Sequence, residues 1–295
     1  MYLDFFQLRE FPFAITSEGR FFYESSVHAE ALANMMYTAQ QRKGMVLVTG
    51  EVGAGKTFLG SMLGERLGPA CKTVVTRNPP QSPKQLLRAV AGGVGLRVRS
   101  RADKLDLVEE LEAQLQRMHH RGRLVVLVVD EAQDLPGSAL EELRLLWNWE
   151  QSGQRLLQIV LIGQPELRQK LLEPKWEPLR QRIVLSYHLG PLPRKDTRAY
   201  IAHRLRVASD NGCKAEFTPE AIEDIYGATD GVPRLINILC DNALLAAYAD
   251  NAHQIDRPTI RQVLRDMTCW DLQSPSHAAA DDSEVRVAGP RRGNG

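Results

Sequence analysis

The sequence predicts an α/β domain with a parallel sheet covered by helices on both faces, followed by a smaller helical domain. Before Pro191, short apolar segments rich in β-branched residues alternate with segments of helical periodicity, which is typical of a parallel sheet. From Pro191 onward only helical patterns occur. A glycine-rich stretch, TGEVGAGKT, separates the first strand from a helix. Together these observations predict the two-part architecture.

Length and composition fit this architecture. The chain has 295 residues, of which 43% are hydrophobic and 25% charged, enough for one large or two modest globular domains. The formal net charge of +1 gives no overall excess that favours nucleic acid, a membrane surface or an acidic substrate. Any such partner must therefore bind to a local patch of charged residues.

The cysteines and the apolar segments indicate the compartment. Four cysteines lie far apart without a CxxC pair, which fits neither a disulfide framework nor a zinc site and favours a reducing compartment. The start, MYLDFFQLRE, lacks the pattern of a signal peptide, and no window approaches the roughly 18 apolar residues of a membrane span. We therefore expect a soluble, cytoplasmic protein with no transmembrane segment of its own.

The elements can be assigned in chain order. The predicted strands are short apolar runs between turn residues: 45–48, 72–76, 124–129, 157–162 and 183–187. The predicted helices follow the 3.6-residue period: 27–42, a helix that begins near Lys56, 104–117, 138–150, 195–209, 219–226, 233–249 and 258–267. Thr218 before Pro219 supplies an N-cap followed by proline at the first helical position. The polar, aperiodic segment 269–295 predicts a disordered tail.

The glycine-rich stretch predicts a phosphate-binding loop. Gly50, Gly55, Lys56 and Thr57 satisfy GxxxxGK[ST], in the required position after a strand and before a helix. Small residues let successive backbone N–H groups surround a polyphosphate at a helix N-terminus. We expect nucleotide contacts from the whole loop and the start of the helix: Gly50, Glu51, Val52, Gly53, Ala54, Gly55, Lys56, Thr57 and Phe58. The alternative is a glycine-rich turn without a ligand.

Within this loop, Lys56 is expected to contact the β- and γ-phosphates and Thr57 a Mg²⁺ ion. A second strand should then end in an acidic residue for the same ion, and LVVLVVDEAQ supplies Asp130. Glu131 follows directly, where a carboxylate can orient and deprotonate the attacking water, which indicates a hydrolase. The alternative for this acidic pair is an N-cap of the next helix.

An ordered series of motifs resembles the ExeA-like ATPases, also called general secretion pathway protein A, within the AAA+ ATPases. The motifs are FFQLREFPF, TGEVGAGKT, VVDEAQDL, EELRLLWNWE, LQIVLIGQPEL, LRQRI and GVPRLINILCDNALLAAYA, and the resemblance covers residues 1 to about 267. Related ATPases include transposition helpers of the TniB and TnsC type and, more remotely, the origin-recognition and Cdc6 group. The resemblance implies ATP and Mg²⁺ as cofactors and a homo-oligomer whose sites are completed by a neighbouring subunit.

The resemblance also implies the domain boundaries. An aromatic leader, 1–25, should pack on a P-loop AAA+ domain, 26–190, and a helical lid, 191–268, should close over the nucleotide. Within the leader, Phe11, Pro12, Phe13 and Tyr23 are candidates to cover the adenine, and a plain hydrophobic contact with the sheet is the equal alternative. Preference for adenine rests on the resemblance, and the guanine-reading NKxD pattern does not occur.

Four further site residues follow from the resemblance. Gln164, in LIGQPEL, matches the sensor 1 position, where a polar side chain bonds the attacking water or the γ-phosphate; the alternative is an ordinary polar residue at a strand end. Arg234, in GVPR, matches sensor 2, with a surface arginine as the alternative. Arg180 and Arg182, in EPLRQRI, lie at the arginine-finger position, and an intramolecular salt bridge is the alternative for each.

Three other features are expected to be structural. His119 and His120 are adjacent at a helix end, where they more often bond the last carbonyls than a metal. Trp147 follows helical spacing and is expected in the core or an interface. The basic segment RKDTRAYIAHRLR is expected to be a solvated face, with DNA or an acidic partner as the alternative.

The sequence therefore predicts a Mg²⁺-dependent ATPase that undergoes a conformational cycle and acts on another macromolecule. The resemblance favours a protein partner in a membrane-associated secretion, pilus or polysaccharide-export apparatus. The alternative is an ATP-dependent, DNA-binding regulator of the TniB and TnsC type. A nucleotide-gated switch with little turnover is disfavoured by Glu131.

Overall fold

The computed structural model describes residues 2–15, 18–99, 102–210 and 212–267, so the expected disordered tail lies outside the described residues. The described helices are α1 (Tyr2–Phe6), α2 (Ser26–Gln40), α3 (Lys56–Leu67), α4 (Pro83–Gly93), α5 (Lys104–His120), α6 (Gly137–Trp147), α7 (Pro165–Leu172), α8 (Glu177–Arg180), α9 (Arg194–Val207), α10 (Pro219–Thr229), α11 (Pro233–Ala249) and α12 (Arg257–Asp266). The described strands are β1 (Met45–Gly50), β2 (Cys71–Thr76), β3 (Leu124–Val129), β4 (Glu150–Gln151), β5 (Gln154–Arg155), β6 (Gln158–Gly163), β7 (Ile183–Leu189), β8 (Glu216–Phe217) and β9 (Gln254–Ile255).

The chain divides into two compact units, and the division differs from the expected boundaries. One unit is Ile15–Val207, called the sheet unit below; the other, the helical unit, joins the described residues up to Ala14 with those from Ala208 onward. The expected leader is therefore split at Ala14, and α9 groups with the sheet unit.

The sheet unit contains a five-stranded sheet in the order β2-β3-β6-β1-β7, with every pairing parallel. Runs such as LVVLVV in β3 are apolar at every position because both faces of the sheet are covered. Alternate residues enter two separate cores: Leu127 packs with helices α4 to α7, and Val126 and Val128 pack with α2 and α3. The predicted α/β class with helices on both faces is confirmed.

The register brings three strand ends to one edge of the sheet. Thr49 of β1 pairs with Gly163 of β6, Gly50 of β1 with Leu189 of β7, and Val129 of β3 with Leu161 of β6. Because parallel strands end at the same edge, the segments that follow β1, β3 and β6 lie side by side. We call this the carboxyl edge and the opposite one the amino edge.

The helical unit combines α10, α11 and α12 with the short α1 near the start of the chain. Phe6 of α1 is buried, and Phe5 stacks on His253 with ring centroids 4.3 Å apart. A parallel pairing of β8 with β9 also lies here, although the sequence predicts only helices in this region. Two-residue strands are too short to leave a periodic pattern.

Candidate nucleotide-binding site

The loop between β1 and α3 has the backbone geometry that its glycines were expected to supply. Gly53 and Gly55 adopt φ values of +84° and +93°, in the left-handed region that favours glycine. At Gly50 the reason is space, since a Cβ atom there would lie 2.5 Å from the carbonyl oxygen of Leu189. The loop therefore turns tightly at the carboxyl edge and leads directly into the first turn of α3.

A buried histidine supports this loop from the start of α2. His28 is 3% exposed; its Nε2 lies 3.1 Å from the carbonyl oxygen of Ala54, and its Nδ1 lies 2.6 Å from the hydroxyl of Ser25. A Cβ on Gly55 would come within 2.8 Å of Nε2. Because a carbonyl only accepts, Nε2 must donate to Ala54. Burial lowers the pKa of His28, which favours the neutral ring.

Lys56 is buried within the loop that is expected to bind phosphate. It is 6% exposed, and its ammonium donates to the carbonyl oxygens of Gly50 and Glu51, each at 2.8 Å. Burial lowers the pKa of Lys56, and nearby carboxylates, foremost Glu131 and Asp130, oppose this shift. An ammonium has three donors, so one N–H remains for a phosphate oxygen.

Thr57 and Asp130 meet across the carboxyl edge. Asp130 is 4% exposed, and its carboxylate is hydrogen-bonded by the Thr57 hydroxyl and, at 3.0 Å, by the backbone N–H of Glu131. Burial raises the pKa of Asp130, and these hydrogen bonds oppose the shift. A hydroxyl oxygen and a carboxylate oxygen are the kind of ligands that Mg²⁺ prefers. The residues present therefore fit a Mg²⁺–nucleotide complex.

Glu131 has an unusual backbone. Its φ of 50° and ψ of 40° lie in the left-handed region, which costs a non-glycine residue roughly 1–3 kcal/mol. It precedes the 3₁₀ turn Ala132–Asp134, yet its side chain makes no capping hydrogen bond. Instead its carboxylate accepts a 2.7 Å hydrogen bond from the side-chain amide of Gln133. The Glu131 side chain therefore does not cap the helix that follows, which was the alternative to a role in hydrolysis.

Gln164 follows β6 at the same edge and is the N-cap residue of α7. Its side chain makes no capping hydrogen bond, and its backbone N–H donates to the side-chain oxygen of Gln133 at 3.1 Å. Lys170 of α7 donates to the carbonyl oxygens of Gln133 and Leu135 at 2.9 and 2.6 Å. Gln133 thus lies between two predicted site residues.

Several of these supporting residues were not predicted. His28, Gln133 and Lys170 act through contacts between distant parts of the chain, and no local pattern marks them. Phe22 stacks on Phe58 of α3 with centroids 5.7 Å apart. Of the leader aromatics that were predicted, Tyr23 contacts Tyr200 and His203 in the sheet unit.

The other leader aromatics lie in the helical unit, where Phe13 packs against Phe217 and Phe11 against Tyr2. Arg234 is in the same unit, exposed in the first turn of α11. Within the described residues, Arg234 forms no ion pair or hydrogen bond.

Arg180 and Arg182 lie at the amino edge. The carbonyl of Arg182 accepts from the N–H of Met45, the first residue of β1, whereas the phosphate-binding loop follows Gly50. At about 3.3 Å per residue, these two ends of β1 are about 17 Å apart. Neither arginine is therefore close to the phosphate-binding loop of its own chain.

The two arginines have different contacts. Arg180 donates to the carbonyls of Leu171 and Leu172 at the end of α7, at 3.2 and 3.3 Å. Arg182 bonds the side-chain oxygen of Asn148 and the carbonyl of Pro178 and lies over the Trp147 ring, 5.3 Å from its centroid. Within the described residues neither forms the intramolecular salt bridge considered as an alternative.

The adjacent histidines behave as helix-end residues. His120 Nδ1 lies 2.9 Å from the carbonyl oxygen of Gln116, in the last turn of α5. Among the described residues, no cluster of three or more His, Cys, Asp and Glu side chains forms a metal site. None of the described helices is long and apolar enough to cross a membrane.

Comparisons with known proteins agree with this geometry. The AAA domain family matches residues 39–171. The chain is 42% identical over 256 residues to general secretion pathway protein A of Aeromonas hydrophila, a match that covers 86% of this chain and 46% of that protein. The chain thus spans less than half the length of this relative.

Solved structures share the fold at low identity. The ORC2 protein of Aeropyrum pernix aligns with a TM-score of 0.65 and 16% identity, covering 85% of this chain and 69% of that one. The RuvB branch migration motor of Thermotoga maritima aligns with a TM-score of 0.58 and 18% identity, covering 83% and 70%. The chain therefore has the P-loop NTPase fold with an AAA domain and is a relative of general secretion pathway protein A.

Proposed function

We propose that this chain is a Mg²⁺-dependent ATPase that works as an oligomer and assists the assembly or operation of a secretion, pilus or polysaccharide-export apparatus. The proposal is carried by the hydrogen bond between the Thr57 hydroxyl and the Asp130 carboxylate, which lies beside the buried Lys56. Glu131 follows Asp130 directly, so a carboxylate lies next to the expected position of the γ-phosphate.

Each residue has a chemical role in this proposal. Thr57 and Asp130 hold Mg²⁺, which supplies positive charge that offsets the charge on the phosphoryl oxygens. Lys56 donates its third N–H to the β- and γ-phosphates, and the loop amides bind the remaining oxygens. Glu131 orients water and accepts its proton, and Gln164 bonds the water or the γ-phosphate through its side chain.

The amino-edge arginines support an oligomer. Their separation of about 17 Å from the loop along β1 excludes a direct role in their own site, so a role in hydrolysis requires a second copy. Arg182 is favoured over Arg180 as the finger. Burial and the nearby Arg144 and Arg155 lower the pKa of Arg182, so its guanidinium gains from an external anion.

Arg234 is proposed as the residue through which the helical unit senses the γ-phosphate. A cation in the first turn of a helix faces the positive end of the helix dipole, which is unfavourable by about 0.3–1 kcal/mol. A phosphate group near the same helix start reverses this cost. The placement of Arg234 is therefore more readily explained by an anionic ligand than by the stability of α11.

The place of action is proposed from the relative. General secretion pathway protein A is named for secretion, and a chain of this kind would act in the cytoplasm and reach the membrane through a protein partner. The helical unit and the amino edge are the candidate regions for that partner.

ATP hydrolysis by the purified protein, measured across protein concentration, tests this proposal. Turnover per chain should rise with concentration, and Glu131→Gln should bind ATP while losing about 100-fold or more of kcat. Glu109→Gln, the same change at an exposed position on α5, is the matched control. Normal hydrolysis by Glu131→Gln contradicts the assignment.

A second candidate function, ATP-dependent DNA binding, is supported by the charge of the amino edge. The five residues before each of β1, β2, β3, β6 and β7 contain no Asp or Glu, and they contain these cations: Arg42, Lys43, Arg66, Arg121, Arg123, Arg155, Arg180 and Arg182. In the described part of the chain, only Arg66 and Arg155 of this set pair with a carboxylate. The net charge of +1 is therefore unevenly distributed.

Duplex DNA binding at several salt concentrations tests this second candidate. If the amino edge holds phosphates, Arg121→Ser with Arg123→Ser should lower the slope of log K against log salt by about 2. Arg97→Ser, an exposed cation elsewhere in the sheet unit, should change it less. DNA that neither binds with ATP nor stimulates hydrolysis removes this candidate and leaves the secretion role.

A further inference from the structure

The side-chain amide of Gln133 joins Glu131 and Gln164, two residues with proposed roles in hydrolysis. The nitrogen donates to Glu131 Oε2 at 2.7 Å and to Asp134 Oδ2 at 3.3 Å, and the oxygen accepts from the backbone N–H of Gln164 at 3.1 Å. Carboxylates only accept and a backbone N–H only donates, so the amide orientation is fixed by its partners. A flipped amide would lose these hydrogen bonds.

The surrounding backbone is built to hold this amide in place. A Cβ on Gly163, the last residue of β6, would lie 2.8 Å from the side-chain oxygen of Gln133. Lys170 holds the main chain on the other side through the carbonyls of Gln133 and Leu135. Gly163 thus makes room for the side-chain oxygen of Gln133, and Lys170 fixes the main chain of the same residue.

The residue that Gln133 contacts has a costly backbone. Glu131 adopts φ 50° and ψ 40°, and its backbone N–H donates to the carboxylate of Asp130. A left-handed backbone changes the direction in which the side chain leaves the main chain. The 2.7 Å bond from Gln133 then selects one direction for the carboxylate.

We propose that Gln133 is a positioning residue for Glu131: it holds the carboxylate directed at the attacking water, and it links that carboxylate to the start of α7 at Gln164. This inference rests on the proposed function, in which Glu131 accepts the proton. The link to Gln164 means that a displacement at the sensor position also displaces the group that activates water.

Two substitutions separate the parts of this role. Gln133→Met has a similar shape but neither donates nor accepts. Gln133→Glu keeps an acceptor for the N–H of Gln164 and replaces the donor to Glu131 by a second carboxylate. We expect both to lower kcat about 10-fold or more, with the KM for ATP changed less than about 3-fold, because the loop and Lys56 are untouched.

The split between kcat and the KM for ATP is the readout that a merely structural role would not produce. A disturbed loop would also weaken ATP binding, whereas a misdirected Glu131 carboxylate lowers kcat alone. Gln154→Glu, the same charge change on the exposed β4–β5 hairpin, should leave both constants unchanged.

The outcomes distinguish this inference from the function on which it rests. If Glu131→Gln is inactive while Gln133→Glu and Gln133→Met have normal kcat, Gln133 has no positioning role. If Glu131→Gln is as active as the unsubstituted protein, the proposed function itself fails. Binding of a fluorescent ATP analogue by each variant shows that its loop is intact, and a Gln133 variant that binds normally with reduced kcat supports the role.

Discussion

The two edges of the central sheet differ in how their charges are satisfied. At the carboxyl edge, Lys56 and Asp130 are buried, and Lys56, Asp130 and Glu131 each have a hydrogen-bond partner within the chain. At the amino edge, Arg182 bonds an amide oxygen and a carbonyl, and Arg42 donates to the carbonyls of Arg123 and Arg155. Within the described residues, neither Arg42 nor Arg182 forms an ion pair with a carboxylate.

This difference shows which edge can balance its own charges within one chain. The carboxyl edge contains its own cation and its own carboxylates, and the site that we propose there would take from a second copy only an arginine. The amino edge has an excess of positive charge, which favours an anionic partner from outside the chain. The following substitutions test this distinction, from the largest expected effect to the smallest.

Arg182→Ala tests whether the amino edge serves a site on another copy. We expect kcat to fall about 10³-fold, since arginine fingers contribute on this scale, and Arg180→Ala to have the smaller effect. Mixing Arg182→Ala with Lys56→Ala should restore part of the activity, because an intact loop on one chain then meets an intact arginine on the other. No recovery on mixing, measured as phosphate release, would show that the two edges do not meet between copies.

Lys56→Ala tests whether the carboxyl edge is sufficient for binding. Loss of a charge-assisted hydrogen bond should weaken ATP binding about 10- to 100-fold. Lys72→Ala, an exposed lysine in β2, is the control and should bind normally. Equal affinities in a fluorescence titration of the two variants would contradict the role of Lys56.

Gly163→Ala tests how tightly the carboxyl edge is packed. The added Cβ would lie 2.8 Å from both the side-chain oxygen of Gln133 and Cδ2 of Leu167. We expect the free energy of unfolding to fall by about 1–3 kcal/mol, as in other overpacked sites. Gly190→Ala, which also follows a strand but has open space around it, is the control for denaturant unfolding. Equal midpoints for both variants would show that the edge can relax.

The smallest expected effect is a dependence of stability on pH, which arises from His28. Burial lowers the pKa of His28 below its ordinary value of 6.5, despite the opposing charges of Glu24 and Asp196. Below pH 6.5 the unfolded chain therefore binds a proton that the folded chain excludes, so stability decreases as the pH falls. His28→Gln, which keeps a donor for Ala54 but cannot titrate, should reduce this decrease. Thermal unfolding of both proteins from pH 7.5 to 5.5 measures the difference.

The strands and the phosphate-binding loop could be predicted because their signals are local. The third strand, 124–129, has the predicted bounds, and the others agree to within two residues. Helix α4 was not predicted, although Ser82 and Pro83 carry a helix start signal. His28, Gln133 and Lys170 could not be predicted, because each gains its role from a partner brought close only by the fold.

The left-handed backbone of Glu131 has a consequence for the evolution of this chain. Glycine or asparagine would adopt φ 50° at lower cost than glutamate, so substitution there should make the folded chain more stable. The same substitution removes the carboxylate that the proposed chemistry needs. Selection for heat resistance alone would therefore favour inactive variants at position 131, and a glutamate persists there only where turnover is under selection.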